Sequence, residues 1–198
     1  MNFAEYAPLA RRTLKELPFK EHLQHMSLGF CGEMGEMLDA TKKHIIYGKP
    51  LDTVNIIEEI GDVTWYCVNL CKELAVDPAQ LDTWLVEARN EKIDNEWFEL
   101  DKVQQLIEIN RDLALVADGL VLDYKNLSEE HGTGIVRALL ISLHTMAETF
   151  KIDLYAALDV NIKKLAARYG DKYSDYAALN RNLAVERDVL ETSSKGEA

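Results

Sequence analysis

Two short acidic words in the first third of the chain are spaced for metal chemistry: Glu33-Met34-Gly35-Glu36 and Glu59-Ile60-Gly61-Asp62. In each, two carboxylates stand three residues apart, with a glycine just before the second. Residues three apart are neighbours on one helix face, so each word, on a helix, projects a pair of carboxylates. Two such helices side by side would gather four anions, whose repulsion grows as the local dielectric falls. A hard divalent cation with oxygen ligands makes such a cluster tolerable.

Spacing alone does not single these words out. With 34 acidic residues among 198, about six pairs at this spacing are expected by chance, and such pairs are ordinarily solvated helix faces. Six occur: Glu33/Glu36, Glu36/Asp39, Glu59/Asp62, Glu91/Asp94, Glu96/Glu99 and Asp188/Glu191. Two differ in where they sit. Met26, Phe30, Met34 and Met37 form one apolar stripe at helical period, with Glu33 on its margin and Glu36 a step further round. Ile56, Ile60, Val63, Cys67, Leu70 and Leu74 form the next, bordered by Glu59 and then Asp62. Charge at the edge of a core is costly to leave unpaired. A glycine inside a helix costs about 1 kcal/mol relative to alanine, and close helix approach or room for a ligand would explain both. On residues alone the two words fit either a metal site or an acidic helix edge.

The elements that must hold them are helical. Strand alternation is absent and there are only four prolines, so the expected class is all-α, a helical bundle built around a four-helix core. Helices are expected near 3–16, 21–46, 53–75, 78–96, 100–123, 133–150, 153–168 and 174–191, with a disordered tail over 192–198. Breaks are expected at Pro18, Gly48-Lys49-Pro50, Asp77-Pro78 and Ser128–Gly134. Asp52 or Thr53 can cap the second acidic helix, and Asp77 ahead of Pro78 is a good start. Residues 1–191 are read as one domain, long enough and, at 47% apolar, rich enough for a real core. No run approaches the roughly 18 apolar residues of a membrane span, and no cleavable leader is evident. Three cysteines, an odd number, fit a reducing compartment and a cytoplasmic location; Cys67 and Cys71, one turn apart on an apolar face, read as buried thiols. A net charge of −12 argues against nucleic acid or anionic membrane as partner. It leaves a nucleotide dependent on a cation to neutralise its phosphates.

A wider set of residues adds to this. Leu28-Gly29-Phe30-Cys31-Gly32-Glu33-Met34-Gly35-Glu36, then Lys42-Lys43, then Glu58-Glu59-Ile60-Gly61-Asp62-Val63-Thr64-Trp65-Tyr66 resembles the MazG-like branch of the all-α nucleoside triphosphate pyrophosphohydrolases, a superfamily that includes the dimeric dUTPases. Its signature is ExxE, a spacer, then ExxD; here the spacer runs from Met37 to Glu58. Glu5-Tyr6 with Arg12-Thr13 upstream, and Asn161-Ile162-Lys163-Lys164-Leu165 with Arg168-Tyr169 downstream, extend the similarity over most of the chain but not its middle.

The resemblance implies roles. Glu33, Glu36, Glu59 and Asp62 would hold Mg²⁺ or Mn²⁺, and a metal-activated water would attack the α-phosphate of a nucleoside triphosphate, a deoxynucleotide for preference, with pyrophosphate leaving. Glu36 or Glu59 would handle the water's proton. The family often carries a further Glu where this chain has Gly32, which leaves the number of ions open; Glu58 is a candidate substitute. Lys43, Lys164 and Arg168 would bind phosphate, and Asn161 the base or sugar. Trp65, then Phe30 and Tyr66, are candidates to stack on the base, though each is equally accounted for as packing.

An internal repeat is also expected. Asp62 to Leu81 passes through Leu74-Ala75-Val76-Asp77, and Ala138 to Leu158 through Phe150-Lys151-Ile152-Asp153, the same helix, break and helix. Glu59 and Asp62 then correspond to Ile135 and Ala138, so the acidic positions are gone from the second copy. Members of the family usually assemble their bundle from two subunits. An active repeat over about 20–97 and a degenerate one over about 100–170 would make a monomeric pseudo-dimer; a homodimer is the other assembly expected. The histidines form no metal spacing, and Glu-x-x-His is missing, which counts against a di-iron carboxylate bundle. No glycine-rich phosphate loop, nucleophile motif or HExxH occurs. The competing reading is a non-catalytic helical module that binds nucleotide or protein on a retained scaffold.

Overall fold

Side-chain caps mark where several of these helices start. The computed structural model describes residues 1–90, 100–122 and 124–194, with nine α-helices and no strand among them. The first, α1 (Phe3–Arg11), opens on a capping box: Asn2 accepts from the Glu5 amide, and Glu5 accepts from that of Asn2. Next, α2 (Phe19–Tyr47) ends at Gly48, which takes the left-handed conformation. Asp52 caps α3 (Thr53–Glu73) by accepting from the Asn55 amide. There follow α4 (Pro78–Asn90), α5 (Lys102–Leu122), a 3₁₀ turn over Tyr124–Asn126, α6 (Glu129–Phe150), α7 (Leu154–Tyr169), α8 (Asp175–Leu179) and α9 (Leu183–Ser194).

The protein is an all-α helical bundle, as expected. Both α3 and α5 pack on α2, and both also pack on α6, so these contacts close a ring. Outside it, α4 lies on α6 and α1, α7 on α3, and α9 on α7 and α3. The expected stripes face inward: Met26, Phe30, Met34 and Met37 of α2 are wholly buried, as are Ile56, Ile60, Val63, Cys67 and Leu70 of α3. Each such side chain contributes about 1.5–3 kcal/mol on leaving water.

Two turns share one backbone pattern. Among the described residues, positive φ outside glycine occurs at Ala75 (55°) and Lys151 (57°). After each, an amide reaches back over the helix end, Val76 to the Cys71 carbonyl and Ile152 to that of Ala147, both at 2.9 Å. An aspartate then starts the next helix in both, Asp77 accepting from the Ala79 amide (3.0 Å) and Asp153 from that of Tyr155 (2.9 Å).

Several boundaries move. The first helix stops at Arg11, not near 16. The break expected over Ser128–Gly134 is a helix start: Ser128 accepts from the His131 amide at 3.1 Å, and Glu129 and Glu130 suit the positive end of α6. The helix expected over 174–191 is two helices, parted at Asn180-Arg181-Asn182. Thr192–Ser194, assigned to a disordered tail, belong to α9. Residues 195–198, the end of the helix expected to reach 96, position 123, and the acidic pairs Glu91/Asp94 and Glu96/Glu99 lie outside the described residues.

Gly61 sets the distance between α3 and α7. A Cβ there would stand 2.9 Å from the Asn161 Cβ and 3.3 Å from the Ala157 carbonyl oxygen, closer than packed carbons tolerate. Gly61→Ala is expected to lower stability by about 1–3 kcal/mol through overpacking. In a chain of this size that is a fall in Tm of several degrees, measurable by circular dichroism.

Candidate acidic site

A cavity of about 540 Å³ opens between α2, α3, α7 and the C-terminal segment. Its acidic wall comes from both words. One carboxylate oxygen each from Glu33, Glu59 and Asp62 lie within 4.8 Å of one another. Two unit charges at that distance repel by about 3 kcal/mol at an effective dielectric of ~20. Three bare anions there would be mutually destabilising, so something must answer them.

Part of the answer comes from α7. Lys164, wholly buried, places its ammonium against Asp62 Oδ2 and 3.3 Å from Glu58 Oε1. Burial works against the ammonium's charge, but Asp62 and Glu58 outweigh it and hold the lysine pKa above its ordinary value. Asn161 donates to Asp62 Oδ1 at 2.7 Å and accepts from the Tyr6 hydroxyl at 2.6 Å. Tyr6, itself buried, therefore fixes which way the amide points. Each oxygen of Asp62 has a donor, with lone pairs remaining for a ligand.

Among the described residues, Glu33 and Glu59 have no ion-pair partner. Burial, then Asp62, pushes the Glu33 carboxyl up, while a hydrogen bond with Glu59 offsets part of the rise. Burial, followed by Asp62 and Glu33, pushes Glu59 up further. Glu59 is only 2% exposed. Three hard oxygen donors, two of them unable to ionise comfortably, are a donor set that fits a divalent cation such as Mg²⁺.

The rest of the cavity is largely aromatic and basic, with Thr13, Leu17, Leu165 and Ala178 between those groups. Tyr66 donates to Glu33 at 3.4 Å. It sits where a Cβ on Gly29 would lie 2.1 Å from its ring, so that glycine admits the ring. Trp65 stands edge-on to Tyr66, with ring centroids 5.1 Å apart, and donates Nε1–H to the Ala10 carbonyl (3.1 Å) and Thr13 Oγ1 (2.9 Å). Tyr169, Tyr173, His25, Lys15, Arg168 and Arg181 complete the lining.

Of the residues read as site residues, Glu33, Glu36, Glu59, Asp62, Trp65 and Arg168 share this cavity. Five placements differ from expectation. Glu36 lines the cavity but is exposed and stands outside the close triad. Lys164, expected to bind phosphate, is sealed behind Asp62, as a buried ammonium must be paired. Asn161, expected on the nucleoside, spends its amide on Tyr6 and Asp62. Phe30 lies in the apolar core with no exposure and does not line the cavity. Lys43 pairs with Asp39 at 2.6 Å beside a separate groove that also takes in Gly32 and Gly35.

Arg181, Glu186 and Tyr173 went unread. Asn182 was the available signal for Arg181: its side chain accepts from the Val185 amide at 3.3 Å, the N-cap that breaks the last helix. Comparison of the chain with protein-family models, known proteins and solved structures finds no match. Among the described residues, no helix is long and apolar enough to cross a membrane.

Two measurements test this geometry. Because burial and like charge raise both carboxyls, their stabilising contribution is complete below the ordinary glutamate value of about 4.5 and is lost as pH climbs through about 7 for Glu33, and higher still for Glu59. Chelator-treated protein is expected to lose Tm between about pH 5 and about pH 8, with Mg²⁺ restoring it at the upper end only, because ligation needs the ionised acids. Separately, Lys164→Met is expected to cost about 3–5 kcal/mol by stranding Asp62, with part regained when Asp62→Asn is added. Thermal unfolding of both variants reads this cycle.

Proposed function

We propose that the protein is a Mg²⁺-dependent nucleoside triphosphate pyrophosphohydrolase. The observation that carries this is the convergence of Glu33, Glu59 and Asp62 in a cavity that also presents aromatic rings and the guanidiniums of Arg168 and Arg181. That combination suits a ligand with polyphosphate at one end and a flat ring at the other. The sequence resemblance points the same way. The two matching turns at Ala75 and Lys151, with α7 packed on α3 and α4 on α6, support an ancient duplication in which one copy kept its acids.

The division of work follows from placement. Glu33, Glu59 and Asp62 would hold Mg²⁺, which when bound offsets phosphate charge and favours ionisation of the attacking water. Lys164 and Asn161 keep Asp62 oriented. Glu36, exposed on the cavity wall, is placed to accept the water's proton. The water oxygen bonds to the α-phosphorus, the bond to the bridging oxygen breaks, and pyrophosphate leaves with that electron pair. Trp65 and Tyr66 flank the triad as the surfaces for the base.

Incubation with Mg²⁺ and a panel including dUTP, dCTP and dGTP is expected to release pyrophosphate and monophosphate. Failure with every member would favour the non-catalytic binding module instead. Glu59→Gln mimics the protonated carboxyl. It is expected to abolish turnover and Mg²⁺ protection, leave helicity intact, and match or exceed the parent Tm in metal-free buffer at about pH 8. Lost helicity would mark Glu59 as structural.

A further inference from the structure

We propose that Arg181, which the buried carboxylate of Glu186 holds beside Arg168, joins that arginine as a seat for the substrate's polyphosphate, with Glu186 the positioning residue. This deepens the reading of the cavity as a triphosphate site and rests on it.

Glu186 is 2% exposed, and its charge is answered twice. Arg168 donates through Nε to Oε1 (2.9 Å) and through Nη2 to Oε2 (2.6 Å). Arg181 donates through Nε (3.2 Å) and Nη2 (2.7 Å) to Oε2. One guanidinium would neutralise the carboxylate and would also tie α9 to α7. The second adds a surplus positive charge, and Arg168 repels it. Two guanidiniums on one carboxylate leave N–H donors and one positive charge beyond what Glu186 takes, and an anion with several oxygens can use both. Both arginines line the cavity, whereas Glu186 stands behind them.

Elimination among the cations agrees. Lys164 is enclosed, and Lys15, on the cavity wall, is engaged with Asp175 at 2.6 Å. Arg168 and Arg181 are left facing the acidic wall, with Arg181 Nη2 3.9 Å from Glu58 Oε1. Five carboxylates line the same cavity: Glu33, Glu36, Glu58, Glu59 and Asp62. They repel a free polyanion, so the seat fills only when a divalent cation answers the acids.

Calorimetric titration of the full chain with inorganic tripolyphosphate tests this. Binding is expected with Mg²⁺ present and not without it. Arg181→Ala and Glu186→Gln are each expected to weaken it about tenfold or more, the scale of a lost charge-assisted contact. The double variant should fall little below Glu186→Gln alone, since Glu186 acts through the arginines. In turnover, Arg181→Ala should raise KM far more than it lowers kcat. Protection by Mg²⁺ alone should survive in Arg181→Ala, because the acidic triad is intact. Parent-like affinity and KM in Arg181→Ala overturn the seat, and so does no Mg²⁺-dependent binding to the parent protein. Should Glu186→Gln fail to fold, Arg181→Ala, altered at a partly exposed side chain, decides. Tripolyphosphate binding lost in the variants, without pyrophosphate release from any nucleotide, would sink the hydrolase reading and keep the seat. Pyrophosphate release with Arg181→Ala unaffected would do the reverse.

Discussion

The structure depends on how Asp62 is held. Its oxygens face Asn161 and Lys164 on α7, and Gly61, one residue earlier, is what lets α7 approach closely enough. A buried lysine with no partner would cost several kcal/mol, and so would a buried aspartate. Placed together they lock α7 against α3. With α7 fixed, Arg168 reaches the cavity and the segment carrying Arg181 can close over it.

That lock divides the cavity by charge. Glu33 and Glu59 stand on the acidic side with raised carboxyl pKa values and, among the described residues, no ion-pair partner. Glu186 gathers guanidiniums on the other. The acidic side carries the uncompensated charge, and a divalent cation bearing the proposed polyanion would answer it while offering oxygens to the arginines. Such preorganised charge is what a site for phosphoryl chemistry needs, because the groups do not have to move when charge develops.

Much of this was legible in the residue pattern. Helical periodicity located both apolar stripes, and the two acidic words at their edges located the cluster, though the same pattern put Glu36 in it and the close triad leaves Glu36 out. Glycine was legible as a cost but not as a cause: Gly61 admits α7, whereas at Gly35 an added Cβ would meet open space. Long-range pairing was hidden. Lys164 reads as a phosphate-binding cation until its helix is seen to bury it, and Phe30 reads as a stacking ring until the core claims it. Glu186 carries no local signal at all, since its partners lie on α7 and in the break before α9. Only Asn182 hinted at that break.

The order of these pieces along the chain has its own consequence. The five carboxylates that line the cavity are all made by position 62, while Lys164, Arg168 and Arg181 come more than a hundred residues later. During synthesis from the N-terminus, α2 and α3 leave the ribosome when Lys15 is the one cation of the cavity lining already made. Their native pairing must wait for the final helices, or borrow a divalent ion from solution in the meantime.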